Sequence, residues 1–163
     1  MPNVKAKTSE TTKKKNITKK KEVIVPQIEI TPKKKILFVA SESTPFIATG
    51  GLAEVIGSLS KALAKNKELD VRVVIPLYSD ISVEYRNQMK YLGNIFVPLA
   101  WRNQYCGIFS YEREGVIYYF LDNEYYFKRP GCYGYYDDGE RFAFFSRSVL
   151  EIMPFLNFYP EIM

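Results

Sequence analysis

The part of this chain best suited to chemistry is the segment between residues 41 and 52, which reads SESTPFIATGGL. It joins an apolar run typical of a buried strand to a segment with helical periodicity, so Gly50 and Gly51 lie at the predicted N-terminus of a helix. Unpaired main-chain N–H groups and the positive end of the helix dipole favour an anion at such a position. A phosphate group is the obvious candidate, although Ala48 supplies no charge where a cation would help.

The composition excludes several kinds of catalytic site. The chain has no histidine, which excludes a His-based triad, a His-ligated metal and an imidazole acid or base within these residues. Its two cysteines, Cys106 and Cys132, are far apart and match no metal or redox spacing, so we expect free thiols and a cytoplasmic location. No apolar run approaches the roughly 18 residues that a membrane span requires.

The positive charge of the chain belongs to its first residues. Residues 1–35 contain eleven lysines and three glutamates, whereas residues 36–163 contain twelve basic and fifteen acidic residues. We predict a disordered, lysine-rich tail over residues 1–34, because this composition has too little apolar area to fold. A nucleic-acid-binding arm is the alternative, but no aromatic residues are interleaved for base stacking, so we expect no nucleic-acid partner.

The segment over residues 41–52 is called the glycine loop below, and the elements that would position it form one βαβ unit. Residues 36–40 and 71–76 predict two buried strands, and the crossover between them should be right-handed. Between the strands, apolar residues fall at helical spacing, typical of an amphipathic helix. These residues are Leu52, Val55, Ile56, Leu59 and Leu63.

The second half of the chain predicts further strands and one long helix. Strands over residues 95–99, 106–111 and 116–121 form a hairpin-rich insertion, and a polar loop follows over residues 128–139. A helix should then run from about Glu140 to Met153, with Pro154 ending or closely following it. The fold class is therefore α/β, with a sheet that the chain leaves incomplete.

The order of these motifs resembles the opening of bacterial glycogen synthases and plant starch synthases. That family carries Lys-Thr-Gly-Gly-Leu-Ala/Gly-Asp-Val before a Gly-Ala/Ser-Leu-Pro helix, and this chain reads ATGGLAEVIGSL over residues 48–59. Ala48 thus stands in place of the family lysine, and Glu54 in place of the aspartate. The resemblance continues through FKRPG at 127–131, YG at 133–134 and DGERFAFF at 138–145, and so covers about residues 35–163.

The resemblance implies a GT-B glycosyltransferase with two Rossmann-like domains and no metal or other cofactor. Such enzymes transfer glucose from ADP-glucose to the non-reducing end of an α-1,4-glucan such as glycogen, with retention of configuration. This chain corresponds to the first part of the N-terminal domain, without the C-terminal Rossmann domain. We therefore expect a fragment that is inactive alone; the alternative is a non-catalytic glucan-binding or regulatory truncated paralogue.

The same resemblance gives the candidate binding residues, each with a structural alternative. Thr49, Gly50 and Gly51 would approach the diphosphate or the transferred glucose, or would only form a tight turn. Glu54 would contact glucan hydroxyls, or would only complement the helix dipole. The remaining candidates lie in or beside the polar loop.

Tyr133 and Asp138 have side chains suited to sugars, as aromatic faces and carboxylate acceptors. Arg141 would contact ligand, or would form an ion pair with Asp137 or Asp138. Lys128 and Arg129 are the candidates to replace the charge that Ala48 lacks, provided that their loop turns towards the cleft between the two domains of such an enzyme. We predict no catalytic residue within this chain.

Overall fold

The computed structural model describes residues 32–163, and residues 1–31, which hold most of the predicted tail, lie outside the described part. The elements and their bounds, in chain order, are β1 (Lys34–Val39), α1 (Gly51–Ala64), β2 (Leu69–Pro76), α2 (Val83–Arg86), β3 (Lys90–Leu99), β4 (Arg102–Arg113), β5 (Val116–Asp122), α3 (Glu124–Phe127) and α4 (Asp138–Leu156). The two short helices, α2 and α3, have no counterpart in the sequence prediction. They are one turn each, too short for a periodic pattern.

The strands form one mixed sheet in the order β1-β2-β5-β4-β3. Strands β1, β2 and β5 are parallel, with Ile36 opposite Val71 and Val73 opposite Tyr118. Strands β5, β4 and β3 follow as an antiparallel meander. The predicted hairpin-rich segment is thus present, and it extends the same sheet.

The parallel strands explain where the loops collect. The carboxyl ends of parallel strands meet at one edge of a sheet, which is where α/β proteins bind ligands. The glycine loop follows β1, residues 77–82 follow β2, and α3 with the polar loop follows β5. Segments far apart in sequence are therefore brought to a single edge.

The core holds this edge together mainly through aromatic packing. Phe46, from the glycine loop, packs edge-on against Tyr118 and Phe120 at centroid distances of 4.8 and 5.0 Å. Phe127, in α3, packs edge-on against Phe145 of α4 at 6.5 Å. Edge-to-face aromatic pairs add to the free energy of apolar burial, so both loops are anchored to the sheet.

Helix α1 buries a different face from the one that its leucine spacing predicts. Its buried residues are Ala53, Ile56, Gly57 and Ser60, while Leu52, Val55 and Leu59 are 46%, 56% and 44% exposed. Small residues let the helix lie close to the glycine loop. A Cβ atom at Gly57 would come within 2.2 Å of Thr44 Oγ1.

Helix α4 is longer at both ends than predicted. It begins at Asp138 and continues through Pro154 to Leu156. Proline cannot donate to the carbonyl four residues earlier and its ring crowds that carbonyl, yet the helix continues for two residues beyond Pro154. The carbonyls of Met153 and Pro154 then accept hydrogen bonds from Phe158 and Asn157, which close the helix.

Candidate functional site

The glycine loop presents open main chain at the start of α1. Gly50 is the N-cap residue, in an extended conformation with no side chain to cap the helix, and the first N–H groups of a helix have no acceptor within it. No atom of the described residues lies within 4 Å of a Cβ atom built at Gly50 or Gly51. The packing of the chain therefore does not require glycine there, and space remains for a ligand.

Glu42 holds the glycine loop in shape. Its side chain is buried, and Oε2 accepts hydrogen bonds from the main-chain N of Thr49 at 2.5 Å and from Thr49 Oγ1 at 2.8 Å. The hydroxyl of Thr49, a predicted ligand contact, is thus engaged inside the chain. Sequence reasoning assigned no role to Glu42, although a carboxylate directly after a buried strand was a usable signal.

Tyr133 joins the polar loop to the glycine loop. Its hydroxyl lies 2.5 Å from Ser41 Oγ and donates to Glu42 Oε1 at 3.3 Å. Burial raises the pKa of this hydroxyl, so it stays protonated and available as a donor at neutral pH. The residue is 43% exposed, so part of it remains accessible to solvent.

Asp138 organises the polar loop rather than projecting from it. Its Oδ2 accepts hydrogen bonds from the main-chain N of Gly134 at 2.8 Å and of Tyr135 at 3.2 Å, and Oδ1 pairs with Arg141. Burial acts to raise the pKa of Asp138, but these hydrogen bonds outweigh it and the pKa is lowered. The carboxylate is therefore ionised, and both of its oxygens already have partners within the chain.

Arg141 lies inside the protein, with its side chain completely buried. Its predicted contact with a ligand stays a prediction. Of the two interpretations given to it from the sequence, the structure has the ion pair, and the partner is Asp138. The sequence did not indicate this burial, because arginine is usually exposed and is fully buried only where it has a partner.

Glu54 lies on the exposed side of the first turn of α1 and has no ion-pair partner among residues 32–163. It complements the positive end of the helix dipole there. The carboxylate is free to meet a ligand, and its predicted contact with glucan hydroxyls stays a prediction.

The two cations proposed to replace the missing lysine are already paired. Lys128 forms an ion pair with Glu124 at 2.8 Å. Arg129 donates hydrogen bonds to both carboxylate oxygens of Asp137, at 2.7 and 2.9 Å, and this pairing lowers the pKa of Asp137. In this structure neither side chain supplies free positive charge to the glycine loop.

Residues 32–163 contain neither a metal cluster nor a membrane-spanning helix. This part of the chain contains no cluster of three cysteine, aspartate or glutamate residues that could hold a metal ion. None of its helices combines the length and the apolar character needed to cross a bilayer.

Comparison with known proteins identifies relatives of this arrangement. The family model for the starch synthase catalytic domain matches residues 35–163. A glycogen synthase from Lactobacillus acidophilus is 54% identical over 129 residues, and one from Desulforamulus reducens is 56% identical over the same length. Each match covers 79% of this chain and 27% of the relative, so the chain spans about a quarter of their length.

One solved structure shares the fold. The catalytic domain of starch synthase IV from Arabidopsis thaliana, bound to ADP and acarbose, superposes with a TM-score of 0.70 and 24% sequence identity. The match covers 81% of this chain and 27% of that one.

Proposed function

The chain belongs to the starch synthase catalytic domain family, and from that premise we propose that it contributes the donor-binding edge of a glycogen synthase. The reaction is transfer of glucose from ADP-glucose to the non-reducing end of an α-1,4-glucan, with retention. The observation that carries this proposal is the open glycine loop. At Gly50 and Gly51 the chain leaves free the space that a side chain would fill.

The chemistry of the loop fits a diphosphate. Main-chain N–H groups fixed at a helix N-terminus stabilise negative charge without having to reorganise, which is how preorganised donors assist charge development in a transition state. The charge that grows on the departing diphosphate is such a target. Glu42 fixes the loop through Thr49, so the donors are held in place before the ligand binds.

The glucan would lie on the same edge of the sheet. Tyr133 is an aromatic residue that is 43% exposed, and Glu54 is an exposed residue one turn into α1. An aromatic face and a free acceptor are suited to the apolar face and the hydroxyls of a glucose unit. Both residues therefore remain candidate substrate contacts.

A chimeric enzyme tests this function directly. Residues 35–163 of this chain would replace the matching segment of the Lactobacillus acidophilus glycogen synthase, and glucose transfer from ADP-glucose to glycogen would be measured. We expect transfer, and we expect Gly51→Val to raise the KM for ADP-glucose because its side chain occupies the open space. A folded chimera without turnover would contradict the proposal.

Ala48 supports a second candidate, a non-catalytic glucan-binding or regulatory protein. Ala48 is exposed at the position of the family lysine, and the two candidate substitutes, Lys128 and Arg129, are paired with carboxylates. The same chimera with Ala48→Lys separates the two functions. Turnover only with lysine favours the non-catalytic protein, whereas turnover with alanine favours the synthase.

A further inference from the structure

Arg141 ties three segments together from inside the protein. Its Nε donates to the carbonyl of Tyr126 at 2.8 Å, Nη1 donates to the carbonyl of Cys132 at 3.4 Å, and Nη1 also pairs with Asp138. The guanidinium lies 4.8 Å from the ring centroid of Tyr135. A fully buried charge is costly unless it is paired and hydrogen-bonded. These contacts satisfy Nε and Nη1, whereas Nη2 is buried with no hydrogen-bond partner among residues 32–163.

The contacts of Arg141 bracket Tyr133 in the chain. The carbonyl of Cys132, one residue before it, accepts directly from Arg141. Gly134 and Tyr135, immediately after it, donate their main-chain N–H groups to Asp138, the partner of Arg141. The main chain on both sides of Tyr133 is therefore fixed by one ion pair.

Tyr133 passes this constraint to the glycine loop. Its hydroxyl contacts Ser41 and Glu42, and the other carboxylate oxygen of Glu42 holds Thr49. Hydrogen bonds on either side of the Tyr133 residue thus connect buried Arg141 to Thr49, the residue preceding Gly50. Every link in the series joins described residues.

We propose that Arg141 is a positioning residue, which sets the geometry of the glycine loop through Tyr133 and Glu42 without touching a ligand. Its importance for donor binding rests on the proposed function. The positioning itself is a property of this chain and can be measured without any ligand.

The test is the rate at which the Thr49 amide proton exchanges with water, measured by NMR in the full chain. Arg141→Lys keeps the charge but loses the planar fork that serves Tyr126, Cys132 and Asp138 together. We expect Thr49 to exchange about tenfold faster, the change that loss of a hydrogen bond to a charged group produces. Arg147→Lys, on an exposed part of the same helix, should leave the rate unchanged.

A double variant separates positioning from general destabilisation. If Arg141 acts through Tyr133, then Arg141→Lys added to Tyr133→Phe should not accelerate Thr49 exchange beyond Tyr133→Phe alone. Exchange at Val73, in the middle of β2, should stay at the wild-type rate. Additive effects, or equal acceleration at Val73, would overturn the proposal.

Asp138→Asn covers the case in which Arg141→Lys does not fold. It removes the ion pair but retains an acceptor for Gly134 and Tyr135, and it should also accelerate Thr49 exchange. An unchanged Thr49 rate in a folded variant would overturn the proposal. Failure of ADP-glucose to bind would count against the proposed function and leave the exchange result standing.

Discussion

Two glycines of α1, Gly51 and Gly57, serve opposite purposes. A Cβ atom at Gly51 meets nothing within 4 Å, whereas one at Gly57 would lie 2.7 Å from the main-chain oxygen of Thr44. We expect Gly51→Ala to hold or raise the free energy of unfolding, by up to about 1 kcal/mol, because alanine is the better helix former. Gly57→Ala should lower it by about 1–3 kcal/mol through overpacking.

Urea unfolding of both variants measures this difference. The two substitutions add the same methyl group to the same helix, so each serves as the control for the other. Equal losses of stability would show that Gly51 has a packing role in this chain. The glycine at position 51 would then be explained by packing and would no longer indicate a ligand at the loop.

The two cysteine thiols should be unreactive in the folded protein. Both are buried, and burial raises the pKa of Cys132 to about 11 and that of Cys106 to about 12. The thiolate is the reactive form, so neither cysteine should react with a disulfide reagent at pH 8 on the time scale of minutes. Two thiols should titrate after unfolding in guanidinium; rapid reaction of the native protein would contradict the burial.

At the scale of the element, α1 carries apolar residues on two faces. Ile56 faces the core at 9% exposure, and Leu59, nearly one turn further on, is 44% exposed. Truncating a buried isoleucine costs about 2–5 kcal/mol through lost burial and cavity formation. Ile56→Ala should therefore destabilise this chain strongly, while Leu59→Ala should change stability by less than about 1 kcal/mol.

Thermal or urea unfolding of this pair determines which face of α1 meets the sheet. Leucine spacing alone predicts both residues on one apolar side, so it predicts similar losses. If Leu59→Ala proved as damaging as Ile56→Ala, the helix would be rotated from the orientation described here.

The order of the polar loop should depend on the carboxylate of Asp137, which ionises at a lower pH than an ordinary aspartate does. Hydrogen bonding to Arg129 lowers the pKa of Asp137. A carboxyl whose folded pKa is depressed contributes stability above its unfolded value of about 3.9 and loses that contribution as the pH falls through the folded value. The loop should therefore stay ordered at pH 5 and loosen only at more acidic pH.

Carbon-detected NMR titration of the Asp137 carboxyl tests this directly. In Arg129→Gln the pKa of Asp137 should return towards about 3.9, because the charged partner is gone. Lys128→Gln, which breaks the neighbouring exposed pair with Glu124, should leave the Asp137 titration in place. A low pKa that survives Arg129→Gln would refute the assigned cause.

At the scale of the whole molecule, local sequence patterns predicted the individual strands and loops better than the contacts between them. Continuous apolar runs predicted β1, β2 and β5. The change from such a run to helical spacing, with two glycines between, predicted the glycine loop. These signals lie within a few neighbouring residues. The contact between Tyr133 and Glu42 spans 91 residues of sequence and follows from the order of the strands. No periodicity encodes it.

Burial of polar groups was likewise beyond local reasoning. Glu42 and Arg141 have residue types that are usually exposed, and each is buried because other segments supply its partners. The resemblance to a family located the site, but it did not distinguish residues that face a ligand from those that support the loop. The complete burial of the Arg141 side chain supports our proposal that it is in the second group.

The last prediction concerns catalysis by the chain itself. Charge on a departing diphosphate needs cations as well as main-chain donors, and residues 32–163 pair both Lys128 and Arg129 with carboxylates. We expect the 163-residue protein to transfer no glucose from ADP-glucose to glycogen, while the Lactobacillus acidophilus glycogen synthase does so in the same assay. Radiolabelled glucose appearing in glycogen with this chain alone would show that the glycine loop suffices, and the need for further cations would be disproved.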